Sequence, residues 1–369
     1  MKINIFFGPK EEFIKLLPND EEIRRLHDLI YEIDKKQRTH VHIQNGKMID
    51  NSKKEYVECL VAYSEDYSTA SSNFLENAID ILLKVYKINN IYFHNPPQPV
   101  KMLLESKTEF NVDTNTYQYP SVSLRKIKLV KESFSKHIVG QQNALENILS
   151  TVFPLTKKKY TKPIVMMFYG SAGVGKTETA KFLSEKFFKQ KVFRQQFSMF
   201  QTDDFANYLF GEKINGTSLA RDLLNRSSNV ILFDEFDKAP SVFHSAFYQM
   251  FDEGVLVDKH YVADISKAII ICTTNYRTRE EIKKSIGDAL YSRFDHFIEF
   301  QPLTNDAQFK LIEKIYFKKI QMFSTKEKEI IESFEVLTKM LNYVGRFKNV
   351  REIDHETQKL MCSVIIKNL

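Results

Sequence analysis

Residues 170–177 read Gly-Ser-Ala-Gly-Val-Gly-Lys-Thr, a glycine-rich run closed by Lys-Thr, whose natural chemistry is the binding of phosphate. Gly170, Gly173 and Gly175 let the backbone curl, so that successive N–H groups, including those of Ser171, Ala172 and Val174, turn inward toward anionic oxygens. Lys176 has the reach for β- and γ-phosphates, and the Thr177 hydroxyl can ligate Mg²⁺. The helix that follows, beginning near Glu178 and carrying Ala180, Leu183 and Phe187 on one face, aims the positive end of its dipole at the same anion. Further along, Val230-Ile231-Leu232-Phe233-Asp234-Glu235 is an apolar strand ending in two carboxylates. Asp234 is placed to hold Mg²⁺ and Glu235 to orient and deprotonate an attacking water, the division of labour that ATP hydrolysis needs.

Such residues need a rigid frame. The run Ile164–Tyr169 is apolar without a break, as expected of a strand covered on both faces, and 229–233 and 268–272 repeat the texture. Ala144, Leu145, Ile148, Leu149 and Val152 mark one face of a helix. Strands alternating with helices predict an α/β fold, a parallel sheet wrapped by helices. After Pro302 the patterns are helical, through Phe309, Ile312, Tyr316 and Ile320, then Val350, Ile353, Thr357, Leu360 and Val364. The first ninety or so residues read as a small α/β domain with strands at 3–7, 57–63 and 91–93 and helices at 21–33 and 74–86. Asn95-Pro96-Pro97-Gln98-Pro99 reads as a stiff linker. The expected division is therefore a small α/β domain over 1–94, a linker over 95–121, a nucleotide-binding subdomain over 122–302 and a helical lid over 303–369.

Composition is that of a soluble globular chain, with 43% apolar and 27% charged residues among 369. Cys59, Cys272 and Cys362 lack metal-ligand spacing and read as buried free thiols. His40 and His42 share a face of a possible strand but have no third ligand nearby, so they read as ordinary strand positions. The net charge of +6 is spread along the chain, and Lys157-Lys158-Lys159 reads as a solvated loop. No apolar stretch approaches the roughly 20 residues that cross a bilayer. The N-terminus makes a poor signal peptide, so a cytoplasmic location is expected.

With their surroundings, these motifs resemble the AAA+ superfamily of P-loop ATPases, and within it the C-terminal ATPase module of the Clp-type unfoldases and disaggregases. The resemblance covers about 122–369. His137-Ile138-Val139-Gly140-Gln141 is similar to a segment that packs on adenine, which implies Ile138 and Val139 beside the base. Thr273-Thr274-Asn275 resembles the sensor-1 element, with Asn275 beside the γ-phosphate. Asp288-Ala289-Leu290-Tyr291-Ser292-Arg293 resembles the segment that carries an arginine finger, so Arg293 is expected to serve a neighbouring subunit's nucleotide; pairing with Asp295 is the plainer alternative. For sensor 2 the resemblance offers Arg351 first and Arg346 second. The family's Gly-aromatic-Val-Gly threading loop has no evident counterpart in Leu209-Phe210-Gly211-Glu212-Lys213-Ile214-Asn215-Gly216. Tyr261 is a possible substitute, or simply a packed or surface tyrosine.

The resemblance implies an ATPase using Mg²⁺ and ATP, assembled as a homo-oligomer, a ring of six, that remodels protein complexes; residues 1–94 lie outside it, resemble no adaptor domain, and are expected to recognise a protein target or partner. A nucleotide-controlled switch or loader acting on nucleic acid is the alternative. A subunit that binds ATP but scarcely turns it over is a third reading, opposed by Glu235 and Arg293.

Overall fold

Among the described residues strand and helix alternate from Lys2 to Thr116, less regularly as far as Glu299, and only helices follow. In a computed structural model that describes residues 1–19, 21–39, 54–68, 72–200 and 202–368, the first elements are β1 (Lys2–Phe7), α1 (Lys10–Ile14), β2 (Ile23–Arg25), α2 (Leu26–Thr39), β3 (Glu55–Ala62), α3 (Ser72–Val85), β4 (Tyr86–His94), α4 (Gln98–Ser106) and β5 (Asn111–Thr116). Then follow α5 (Leu124–His137), α6 (Gln142–Val152), β6 (Ile164–Tyr169), α7 (Lys176–Phe188), β7 (Phe193–Gln196), α8 (Thr202–Phe210), α9 (Leu219–Leu224), β8 (Val230–Asp234), α10 (Ala246–Glu253), β9 (Val255–Val257) and β10 (Val262–Asp264). The chain finishes with β11 (Ile269–Thr273), α11 (Arg279–Tyr291), β12 (His296–Glu299), α12 (Asn305–Ile320), α13 (Thr325–Ser333), α14 (Val336–Leu341) and α15 (Val350–Ile366). His40 and His42 lie outside the described residues. No helix among the described residues is long and apolar enough to cross a membrane.

Two compact units emerge. One joins Met1–Tyr119 with Phe200–Ser227 and Glu253–Ser266; the other joins Pro120–Met199, Ser228–Asp252 and Lys267–Leu369.

The first unit is built on a five-stranded parallel sheet ordered β2-β3-β4-β1-β5. Its interior strands bury Ile3, Ile5, Leu60, Val61, Ile91 and Phe93 almost completely. The edge strand β2 is short and charged, Arg24 reaching Glu32 at 2.5 Å and Glu55 at 3.2 Å, which blunts an open edge. Two expectations give way here. Residues 95–121, read as a linker, contain α4 and the edge strand β5. Pro97 caps α4 and Pro99 sits in its first turn, where a missing N–H costs nothing, so prolines that look like breakers instead start a helix. The stretch 21–33, read as wholly helical, opens with β2 before α2 begins at Leu26.

The second unit holds a five-stranded parallel sheet ordered β12-β6-β11-β8-β7. Every residue of β6, β8 and β11 is buried, as the unbroken apolar runs require. One face presents Met166, Phe168, Leu232 and Ile271 to Phe134, Ile148, Leu183 and Phe187 of the helices. On the other, Phe233 stacks on Phe197 at 5.2 Å and meets Phe236 and Phe247, so the strand that carries Asp234 is wedged by aromatic rings. Helices α12 to α15 form their own apolar cores, around Leu311, Ile312, Met340 and Ile353 and around Tyr316, Ile331, Val336 and Met361.

Candidate nucleotide-binding site

Strand β6 ends at Tyr169 and α7 begins at Lys176, and the five residues after Gly170 must turn the chain through a loop between them. Gly170, Gly173 and Gly175 adopt φ of +122°, +74° and +106°, a region that other residues enter at a cost. A Cβ on Gly170 would stand 2.4 Å from the Phe300 carbonyl oxygen, and one on Gly173 would stand 2.9 Å from the Cβ of Asn349. Both the dihedral and the space therefore demand glycine.

A cavity of about 600 Å³ opens over this loop at the ends of the strands. It is lined by Ala172 to Glu178 of the loop and α7, by Ile138 and Val139, by Asp234 and Glu235, by Asn275, and by Arg351. Gly170 and Ser171 stand behind it, their carbonyls accepting from Lys176 Nζ at 2.6 and 2.8 Å. Lys176 Nζ also donates to Asn275 Oδ1 at 3.1 Å. Burial pushes the Lys176 ammonium down to about 8, with Asp234 and Asp237 pulling the other way.

The acidic side is held by a second set of bonds. Thr177 Oγ1 lies 3.3 Å from Asp234 Oδ2, and the Thr273 hydroxyl donates to Asp234 Oδ1. The same Thr273 oxygen accepts from the Glu235 amide at 3.0 Å. Glu235 itself sits at φ +54°, ψ +48°, a left-handed conformation unusual for a glutamate, immediately after the rigid strand β8. Its carboxylate accepts from Gln196 Nε2 at 3.3 Å. Thr177, Asp234 and Glu235 bring hard oxygen atoms together beside an anion loop, a donor set that fits Mg²⁺.

Sequence reasoning did not find Arg194 or Gln196. Both project from β7 into the cavity, where Arg194 Nη2 and Nε donate to Asp234 Oδ2 at 2.6 and 3.0 Å. Strand β7 is four residues, a phenylalanine and three polar ones, with no motif of its own, and only its place beside β8 reveals them. Gln141 joins them: buried, it donates to the carbonyls of Val174 and Gln301 and accepts from the Gln301 amide, tying the loop to the segment that follows β12.

Adjacent residues Ile138 and Val139 belong to different cores, Ile138 to the sheet side and Val139 to the α12–α15 side. The two arginines offered for sensor 2 separate. Arg351, in the first turn of α15, lines the cavity, whereas Arg346 lies outside it with its guanidinium 5.2 Å from the Tyr343 ring. Helix α15 is brought there by Asn349, whose side chain caps it, and by the Val350 amide, which donates to the Gly173 carbonyl at 3.1 Å. Arg293 also lies outside the cavity. It pairs with Asp252 at 2.8 Å and stacks 4.0 Å from the Tyr248 ring. Asp295, its imagined partner, instead accepts the Val165 amide at 2.7 Å.

The chain is similar to several known proteins. A family model, AAA domain (Cdc48 subfamily), matches residues 161–319. Chaperone protein ClpB of Mycoplasmoides gallisepticum is 28% identical over 277 residues, covering 66% of this chain and 38% of that protein. The mitochondrial disaggregase of Bos taurus is 31% identical over 164 residues, 41% of this chain and 24% of that one. The chain thus spans well under half the length of these relatives. Among solved structures, the closed-state Hsp104 with ATPγS and FITC casein matches at TM-score 0.55 and 14% identity, over 97% of this chain and 86% of that one. The Saccharomyces cerevisiae Hsp104–ADP complex matches at TM-score 0.53 and 20% identity, over 66% and 40%. At such identities the structural likeness speaks for the fold. Residues 161–319 thus match an AAA domain, and the chain is similar in sequence to the ClpB chaperone and the disaggregase above.

Proposed function

We propose that the protein binds Mg-ATP in the cavity over 170–178 and hydrolyses it, and that assembled copies use the cycle to remodel a protein complex. The observation that carries the reading is the convergence on one cavity of Lys176, Thr177, Asp234, Glu235, Asn275 and Arg351, drawn from four separate stretches of chain. In this reading residues 122–302 hold the nucleotide and 303–369 close over it as a lid. Ile138 and Val139 flank the base, loop amides and Lys176 bind the phosphates, and Arg351 ties α15 to the γ-phosphate.

Mg²⁺, held by Thr177 and Asp234, would neutralise developing charge on the phosphates. Glu235 accepts the proton of the attacking water. Asn275, already hydrogen-bonded to Lys176, orients that water. Arg293 serves the site of an adjacent copy in a ring, probing a cavity other than its own.

Glu235→Gln should retain nucleotide binding and lose about 10²–10⁴ in turnover, the usual contribution of a positioned base. Turnover equal to that of the parent would remove Glu235 from the mechanism. Whether the work is done on protein is tested with the same variant as an ATP-locked trap, with Lys176→Ala as control. A discrete protein partner retained only with Mg-ATP supports remodelling, whereas nucleic acid bound with a steep salt dependence would favour a switch or loader instead.

A further inference from the structure

The first unit repeats the topology of the second. Counted by order of appearance within its own unit, each five-stranded sheet runs fifth, first, fourth, third, second, with every pair parallel. The likeness extends to register. Phe6 faces His94 as Phe168 faces Thr273, and the next amides, of Asn95 and Thr274, donate to the carbonyls of Phe6 and Phe168 at 2.8 and 3.0 Å. On the other flank the Tyr117 amide donates to Phe7 O, and the Phe300 amide to Tyr169 O, both at 2.8 Å. Each first strand is followed by a positive-φ glycine, Gly8 and Gly170. The Hsp104 match over 97% of the chain extends into residues 1–119 as well.

At the level where the second unit handles phosphate, the first has other chemistry. After Gly8 comes Pro9, which has no N–H to offer, and then the five-residue α1 in place of a long loop and α7. The Gly8 amide is taken by Asn95 Oδ1 at 2.9 Å, and its carbonyl by Asn95 Nδ2 and His94 Nε2 at 2.9 and 2.8 Å. Because Ala62 faces Phe93 as Phe233 faces Cys272, the levels of Asp234 and Glu235 hold Tyr63 and Ser64. The nearby acids are paired elsewhere, Glu65 with Lys10 and Asp66 with Arg25.

What fills the strand ends is the chain's own α9. Arg221 and Asn225, one helical turn apart, point the same way. Arg221 Nη2 donates to Ser64 O at 2.5 Å, and Asn225 Nδ2 donates to Ser64 Oγ at 3.0 Å. Asn95 Nδ2 closes the set on Asn225 Oδ1 at 3.1 Å. Ser64, His94, Asn95 and Arg221 are all at most 6% exposed, so this is a built seat and not a surface contact.

We infer that the first unit is a second copy of the nucleotide-binding topology that has exchanged its phosphate loop for a peptide seat, and that the seat clasps an Arg-x-x-x-Asn helical turn, here the chain's own Arg221 and Asn225. The inference rests on the first unit's geometry and not on hydrolysis by the second.

The test has two arms on the full chain. Equilibrium binding of ADP should give one site per chain and none in Lys176→Ala; a site that persists in Lys176→Ala would overturn the loss of nucleotide binding. Hydrogen exchange is read on Arg221→Ala and, from the side of the seat, Asn95→Ala. Amides of 218–226 should exchange at least about tenfold faster in both, with α7 unchanged as the sign of an intact fold. Unchanged protection of 218–226 in both variants would show that the seat does not hold this segment. The ADP arm needs no variant of the seat, so a misfolded Arg221→Ala leaves the inference exposed to refutation.

Discussion

At the scale of the residue, the protonation of Lys176 is the most informative quantity. Burial holds its ammonium at about 8, below the usual lysine value of 10.5. The unfolded chain therefore binds the proton more readily, and the cost to folding is fully present below pH 8 and relieved as the pH rises toward 10.5. A phosphate ligand favours the charged form and opposes that shift. Nucleotide affinity should accordingly weaken as the pH climbs above 8, and binding near pH 8–9 should take up a proton. Calorimetry in buffers of different ionisation heat measures that uptake, and its absence would mean that Lys176 does not meet the phosphates. Cys59 and Cys272 are different: burial raises both thiols, Cys59 to about 12, so they stay protonated and inert.

At the scale of the element, the loop and α15 are set by what glycine permits. Gly173→Ala puts a Cβ at φ +74° and 2.9 Å from Asn349, and should cost about 1–2 kcal/mol from the dihedral alone. Its denaturation midpoint should fall, and nucleotide affinity with it, since α15 can no longer approach; an unchanged midpoint would mean that the loop relaxes freely. Asn349→Ala removes the cap of α15 and should cost about 1 kcal/mol. Legibility in the sequence followed burial. The interior strands β6, β8 and β11 announce themselves as unbroken apolar runs, and the loop residues are contiguous, so a local pattern finds them. The edge strands β2, β7 and β12 are short and β5 is mostly polar, so periodicity does not mark them. Arg194 and Gln196 were illegible for that reason: their place in the site comes from strand order, which only the folded sheet supplies.

At the scale of the whole molecule, Arg293 lies outside its own cavity, which a ring of copies would explain. Arg293→Ala should then bind ADP normally and lose about 10³–10⁵ in turnover, the range of a trans-acting arginine. Mixed with Lys176→Ala, which keeps its Arg293 but has a disabled site, it should regain activity. Failure of two inactive proteins to complement each other would confine Arg293 to its Asp252 contact. The first unit has a different consequence, for biogenesis. It is not finished when residue 119 has been made, because it needs 200–227 and 253–266, separated from it by stretches of the other unit. At about 5–20 residues per second, a ribosome takes roughly 7–30 s to add the 147 residues from 120 to 266. During that interval the nascent sheet waits with its seat empty, the segments that complete it still unsynthesised.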